Sequence, residues 1–469
     1  MMGDFGRRKP VTEDWISGLP DDILCCILSF VTLKEAGRTS ALSKRWENVW
    51  KFVTDLDFDA IPTLFEAETD EEYRISLKRE MPKFVDWVHK VLASRNQTVA
   101  LRKFRIRIHS DDSIGAELNK WLQFAFDKGV ERLEVNLSWH GPCGFKTHYV
   151  FPSAIFAAAQ RQRSWDCLKV MIMKRVAVSG DDLDFLLHNC KLLETLRVHW
   201  SSTLNALQVR GPSLAIRHLD VRHCSLNSLI VCNAYNLVSL KSGLPRQELV
   251  LNNVPRLVDT HICILSYYAK DLVRRLSCAF STLEILVILM EAEMNKEYVG
   301  KFPQLPTLKQ LRVRLFFRKD MKSLRGLTDL FRASPNLEQC IIDVLYLHRD
   351  EEVSVHGDSV EKANVENYPL RHLRVVEISG CCGRAVELQL VKYFLGNASS
   401  LEKIIVAPRR LHMVLTEEPL FQDKTRFDRM TKCWGRFSEQ QLLRIMPPHV
   451  TLQILQHSEH HFLSGWIKS

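Results

Sequence analysis

Cysteine and histidine carry most of the chemical potential of this chain, and their spacing argues against its use. The 13 cysteines form no Cys-x-x-Cys pair, the spacing that a zinc knuckle or a thioredoxin-type centre needs. Cys381-Cys382 with Arg384 nearby comes closest to a reactive thiol site, because a thiolate needs a cationic neighbour. A loop pair is the simpler reading. His457, His460 and His461 would offer imidazoles to a metal, but Glu459 is the only carboxylate beside them, so solvated side chains are expected. Gly380-Cys381-Cys382-Gly383 lacks the lysine and spacing of a phosphate loop and reads as a strand-to-helix turn. No serine stands in a Gly-x-Ser-x-Gly elbow. The sequence therefore assigns no catalytic residue, no metal and no cofactor. It points to binding, not to an enzyme acting in its own right.

Binding needs elements that present a surface, and residues 19–50 supply them. Leu19-Pro20-Asp21-Asp22-Ile23-Leu24 reads as a helix start, where proline loses no hydrogen bond and aspartates meet the positive end of the dipole. Ile23, Leu24, Ile27, Leu28 and Val31 then share one helical face. Thr32 and Glu35 have capping-box spacing and open a second helix. Leu42, Trp46, Val49, Trp50 and Val53 stripe a third. Short helices with this much Leu, Ile and Trp hold more apolar surface than they can bury among themselves, so a partner surface is expected.

These residues resemble an F-box, the adaptor-binding module of cullin-type ubiquitin ligases. The run Lys34-Glu35-Ala36-Gly37-Arg38-Thr39-Ser40-Ala41-Leu42-Ser43-Lys44-Arg45-Trp46 resembles the plant form in particular. The resemblance implies docking on a Skp-type adaptor and, through it, on a cullin and a RING protein. Leu19, Pro20, Ile23, Leu24, Ile27, Leu42, Ser43, Trp46 and Trp50 are then expected to form the docking surface or the packing that shapes it. Gly37 stands where the family usually has Val or Ala; glycine inside a helix costs ~1 kcal/mol, which would weaken docking. A helical hairpin packed into the chain's own core is the alternative.

At 469 residues the chain exceeds one ordinary core, so several domains or an elongated repeat are expected. Hydrophobic residues at 46% and charged residues at 25% match an ordinary folded protein. The longest dense apolar run, residues 283–290, is too short to cross a bilayer. No apolar signal region follows the first residues, so a cytoplasmic or nuclear protein with reduced cysteines is expected. The sequons at Asn96, Asn136 and Asn397 would then go unused, and Arg7-Arg8-Lys9 reads as a solvated tail. A net charge of +9 admits a nucleic-acid partner. The charge is dispersed, however. Lys103, Arg105, Arg107 and His109 alternate with Phe104, Ile106 and Ile108, and Arg312 and Arg314 alternate with Leu311 and Val313. Both read as solvated strand faces, without the aromatic-rich basic patch that nucleic acid would favour.

After residues 66–72, an acidic stretch read as a linker, the pattern alternates helix and strand. Phe84, Val85, Val88, Val91 and Leu92 stripe one helix; Leu118, Trp121, Leu122, Ala125 and Phe126 stripe another, with Gly129 suited to its C-terminal cap. Leu133, Val135 and Leu137 follow as a strand. Four strands open with Leu-Glu, at Leu193-Glu194, Leu283-Glu284, Leu337-Glu338 and Leu401-Glu402. Helical stripes precede three of them: Leu183, Leu186, Leu187 and Cys190; Leu324, Leu327, Leu330 and Phe331; Leu388, Val391 and Leu395. Helix, turn and strand make the unit of a leucine-rich-repeat solenoid. Between Leu196 and Leu249 the leucines at 196, 207, 219, 229, 240 and 249 are spaced 11, 12, 10, 11 and 9 apart, about half a repeat each. Two walls are therefore expected, with Leu196, Leu219 and Leu240 in one sheet and Leu207, Leu229 and Leu249 in the other. A two-sheet β-sandwich is the alternative.

The body resembles the leucine-rich half of plant F-box proteins, and residues 373–408 resemble the FBD module that ends many of them. The fold class is thus α/β, a short helical F-box followed by a leucine-rich-repeat solenoid. Expected divisions are a disordered tail at 1–14, the F-box at 15–55, a linker with connecting helix and strand at 56–110, repeats at 111–350, FBD-like repeats or cap at 369–455, and a tail at 456–469. The implied function is that of a substrate-receptor subunit of an SCF-type ligase, with an unknown target protein, no membrane and no nucleic acid. Arg197, His199, Asp220, Arg222 and Lys241 would line an outward polar strip for that target. A scaffold with a degenerate F-box and a basic nucleic-acid-associated protein are the alternatives.

Overall fold

The computed structural model describes residues 15–60, 70–96, 98–108, 114–137, 149–153, 164–243, 248–263, 280–291, 304–317, 325–346, 367–381, 385–408 and 440–455. Both terminal tails, Cys382, Arg384 and most of the polar 350–368 segment lie outside them, as do His457, His460 and His461. The chain divides into two compact units, residues 1–139 with 152–172, and residues 140–151 with 173–469.

In the first unit, short helices α1 (Asp21–Leu28), α2 (Leu33–Arg38) and α3 (Trp46–Val49) lead into strand β1 (Asp55–Asp59). Next come α4 (Asp70–Ser94), β2 (Lys103–Arg107), α5 (Gly115–Asp127) and β3 (Arg132–Asn136), and β4 (Val170–Lys174) follows further along the chain. β1, β2 and β3 pair in parallel, Leu56 beside Phe104 beside Leu133. These side chains and Phe58, Ile106 and Val135 are fully buried. The stripe of α5 is buried as its period requires, and Gly129 takes a positive φ of 61° just after the helix.

Residues 56–110, read as a linker with connecting helix and strand, hold most of β1, then α4 and β2; of the acidic stretch, Asp70 to Glu72 belong to α4 and 66–69 lie outside the described residues. One reading of this unit is corrected: Lys103 and Arg105 are not plainly solvated. Lys103 and Arg105 lie 3.0 and 2.7 Å from Asp57, and Arg105 and Arg107 lie 3.3 and 3.5 Å from Asp59. A row of acids on one strand faces a row of bases on the next, the cross-strand pairing that favours this register.

The second unit contains two walls. β5 (Thr195–His199), β7 (His218–Arg222), β9 (Ser239–Ser242) and β11 (Asp259–Cys263) pair successively in one parallel sheet. β6 (Ala206–Arg210), β8 (Ser228–Cys232) and β10 (Glu248–Asn252) form the other. Leu196 registers with Leu219 and Leu219 with Leu240, while Leu207 and Leu249 both register with Leu229, as the half-repeat spacing predicts. The first wall continues through β12 (Ile285–Glu291), β13 (Gln310–Phe317), β14 (Gln339–Tyr346), β15 (Val375–Cys381), β16 (Lys403–Pro408) and β17 (Thr451–Ile454). The Leu-Glu turns have a backbone role: the carbonyls of Glu194, Glu284 and Glu338 each accept two N–H groups from the next strand. That satisfies the entry of each strand without side-chain help.

Helices α6 (Gly180–Asn189), α7 (Arg325–Ala333) and α8 (Ala385–Asn397) also belong to this unit. α8 departs from its expected stripe. It buries Leu390, Val391 and Phe394, while Leu388 and Leu395 are half-buried. The cause is Phe331 on α7, whose ring packs 5.9 Å from Tyr393 and 5.6 Å from Phe394. Gly380 and Cys381 end β15 and α8 starts at Ala385, so the run read as a strand-to-helix turn begins within the strand; Gly380 has φ +80°, and a Cβ there would sit 2.3 Å from the Val344 carbonyl oxygen. Only glycine permits that approach.

Thr260 takes a core position between Leu240 and Leu286 in register, fully buried, with its hydroxyl lacking a hydrogen-bond partner among the described residues. Thr260→Val, which removes the unsatisfied oxygen at nearly constant shape, is expected to stabilise the chain by about 1 kcal/mol. A urea titration reads this as a higher midpoint at unchanged slope.

Candidate functional site

The N-terminal helices build a small core of their own. Leu24, Leu28, Ala36, Trp46, Val49 and Val53 are buried together, with Leu19, Cys25 and Trp50 packed against them. Burial pushes the Cys25 thiol up, first among its causes, so it stays protonated and inert. Thr32 and Glu35 complete a reciprocal capping box: the Thr32 N–H donates to Glu35 at 2.9 Å and the Glu35 N–H to the Thr32 hydroxyl at 3.3 Å. The Thr32 N–H, and the Thr32 hydroxyl donating at 2.8 Å, hold the Glu35 carboxyl below its usual range.

Two residues of the Lys44-Arg45-Trp46 run fasten the segment before α1. The Trp46 indole donates to the Ser17 hydroxyl at 2.8 Å. Arg45 donates to the carbonyls of Ser17 and Leu19 and lies 3.1 Å from Asp21. The Arg45 clamp is not visible in hydrophobic periodicity, which assigns no role to a charged position. The module is also tied to α4 and its end. Arg95 donates to the Val53 carbonyl, the Asn96 N–H donates to the Lys51 carbonyl at 3.3 Å, and Lys34 sits 5.0 Å from the Trp87 ring centroid. Burial pushes the Arg95 pKa down to about 10, so it stays charged at neutral pH.

The nine candidate residues fall into two groups. Leu24 and Trp46 are core, and Leu19 and Trp50 line it. Pro20, Ile23, Ile27, Leu42 and Ser43 are exposed. Ile23 and Ile27 keep 44% and 41% of their surface in water, and Leu42 keeps 68%. Phe30 at 85%, Val31, Trp15 and Ile16 are further exposed apolar side chains of the module and were not among the candidates. Phe30 follows Ile23 and Ile27 by seven and three positions, a helical signal that would have found it. Core and exposed face are thus distinct: the core closes without Ile23, Ile27, Phe30 or Leu42.

Gly37 lies in α2, and a Cβ there would meet nothing within 4 Å. Gly37→Ala should therefore stabilise the module by about 0.5–1 kcal/mol, since alanine reduces the freedom of the unfolded chain without a clash. Thermal melting of the purified chain checks it; an unchanged or lower midpoint contradicts it.

The second candidate group lies on the outer face of β5, β7 and β9. Arg197 registers with Asp220 and Asp220 with Lys241, while His199 registers with Arg222. A continuous wet strip is not what forms, however. His199, Asp220 and Arg222 are 8%, 5% and 8% exposed. Arg222 grips Asp220 with two hydrogen bonds of 2.6 and 2.8 Å, and His199 Nε2 lies 3.0 Å from the same carboxylate. Beside this cluster, Arg175, Trp200 and His223 have positive φ, and the Trp200 and His223 rings stack at 4.2 Å. Arg197 and Lys241 remain the more accessible members.

Comparison with known proteins agrees with this architecture. Residues 156–444, more than half of the chain, match the family model described as At1g61320/AtMIF1, LRR domain, and residues 16–55 match the F-box domain. The chain is similar to the Arabidopsis thaliana F-box protein At4g27050, 25% identical over 436 residues, covering 84% of this chain and 92% of that protein. It is also similar to the putative F-box/LRR-repeat protein At5g38386 of the same plant, 25% identical with 84% and 90% covered. The FBD-associated F-box protein At5g38590 of A. thaliana is 25% identical, with 87% and 97% covered.

Proposed function

The chain belongs to the At1g61320/AtMIF1-type leucine-rich-repeat family and is a plant F-box protein, and from that premise we propose that it is the substrate-receptor subunit of an SCF-type ubiquitin ligase. The observation that carries this reading is that Ile23 and Ile27 on α1, and Phe30 and Leu42 near it in sequence, stay exposed although the helical core is complete. Such exposed apolar residues mark a protein-binding surface. A Skp-type adaptor is the proposed occupant, bringing a cullin and a RING protein with it. The bond-making chemistry belongs to those partners. This chain supplies proximity, which raises the effective concentration of target lysines near the charged conjugating enzyme.

The repeats are the proposed target-holding part, and residues 369–455 the proposed C-terminal cap. The support for the cap is that β15, β16 and β17 add to the sheet in succession, β14 beside β15 in parallel. No helix among the described residues is long and apolar enough to cross a membrane. The proposed location is cytoplasm, nucleus or both. Reconstitution tests the function: the chain with adaptor, cullin, RING protein and charged conjugating enzyme should transfer ubiquitin to proteins captured by the repeats. Capture without any adaptor-dependent transfer would leave a leucine-rich scaffold instead.

A further inference from the structure

The run at 283–290 has a place in the structure that its apolar composition alone leaves unexplained. It is β12, whose core-facing Leu286 and Ile288 are 1% and 2% exposed. Strands apolar on both faces are normally covered on both. The other face is only partly covered: Ile285 is 37% exposed and Val287 and Leu289 are half-buried. This apolar rung lies in a row of charge. Along one line of register the outer residues are Arg197, Asp220, Lys241, His261 and Val287. Asp220 is buried and committed to Arg222 and His199. Arg197 makes no ion pair among the described residues, and Lys241 stands 3.9 Å from Asp259. Burial first, and then Arg197, Arg217 and Lys241, hold the pKa of His218 down, with Asp259 opposing them.

We propose that this outer face docks an extended target segment, acidic where it crosses Arg197 and Lys241 and apolar where it reaches Ile285, Val287 and Leu289. The inference rests on the receptor reading for its biological purpose, but the surface stands on its own chemistry. Charge complementarity selects the acidic end, and the partly covered apolar rung selects the apolar end. Strands lie about 4.8 Å apart, so Arg197 to Val287, four strand steps, is roughly 20 Å. An extended peptide of about six residues spans it. The buried His199–Asp220–Arg222 cluster would stiffen the floor under the acidic end without contacting the target.

The test is selection of short random peptides, displayed on phage, on the full chain bound to its adaptor or captured by a tag. Enriched peptides should carry Asp or Glu clustered beside Leu, Ile, Val or Phe. Arg197→Glu with Lys241→Glu should lower their capture by about ten-fold or more and shift selection toward basic peptides, and Ile285→Asn with Val287→Asn should lose the apolar preference. Arg197→Gln with Lys241→Gln, at an unchanged melting temperature, separates lost charge from lost fold. No enrichment, neutral or basic enriched peptides, or equal capture by the charge-reversed chain overturns the proposal. Displacement of the enriched peptides by bulk RNA or DNA with a steep salt dependence would also overturn it, in favour of a nucleic-acid ligand. Adaptor binding is read separately: peptide enrichment without adaptor docking sinks the receptor reading and leaves this surface in place.

Discussion

Asp220→Ala is expected to cost the second unit about 3–5 kcal/mol, because it strands a buried guanidinium and a buried imidazole that no longer share a carboxylate. Arg222 and His199 are less than a tenth exposed, so neither recovers full hydration when its partner is removed. Total stabilities of folded domains are about 5–15 kcal/mol, so this single change takes a large share. Chemical denaturation should show it as a fall in midpoint. The pH dependence gives a second readout. Burial alone would raise the Asp220 pKa, but the His199 and Arg222 contacts outweigh it and hold the carboxyl far below its usual range. A folded pKa below the unfolded one contributes stability above the unfolded value, near 3.9, and loses it as pH falls below that value toward the folded one. The wild-type chain should therefore lose stability as pH drops through about 4, and Asp220→Asn should lose less over the same interval. Equal acid slopes for the two chains would show that the cluster is not ionised as described.

Trp46→Ala is the second large effect. The side chain is 5% exposed, packs with Leu24, Leu28 and Val49, and ties down Ser17 through its indole nitrogen. Removing it leaves a cavity and an unanchored entry to α1, at about 3–5 kcal/mol. Leu42→Ala, at a position 68% exposed, should stay within about 0.5 kcal/mol for folding. Both residues belong to the expected docking set, yet they should act by different routes: Trp46 through the fold, Leu42 through contact. Similar melting of the two variants would contradict the division between core and face.

The features readable in the sequence were the periodic and local ones. The capping box at Thr32 and Glu35, the stripe of α5 and the half-repeat leucines all rest on spacing within one element or one repeat. What escaped depends on partners distant in the chain. Strand β1 reads Asp-Leu-Asp-Phe-Asp, and aspartate is depleted in strands. Its reason to exist is the basic row of β2, about 46–48 positions later. Asp220 and Arg222 alternate like wet residues, and only the packing of neighbouring strands shows that they are buried against each other. On the N-terminal helices, composition identified the residues but not their division. Ile23 and Leu24 are equally apolar neighbours, and only the assembled core puts one in water and the other out of it.

The central claim is that the exposed face of these helices, and not their core, is what the adaptor meets. Its most direct test is the affinity of a purified Skp-type adaptor for the chain carrying Ile23→Glu with Ile27→Glu, measured by calorimetry beside the wild type. Both positions keep about two-fifths of their surface in water, so the double variant should fold and melt near the wild-type temperature. Interface-centre residues of this kind are worth about 2 kcal/mol or more, so binding should weaken by roughly thirty-fold at least. Wild-type affinity in a folded double variant would contradict the claim and remove the apolar face as the docking site.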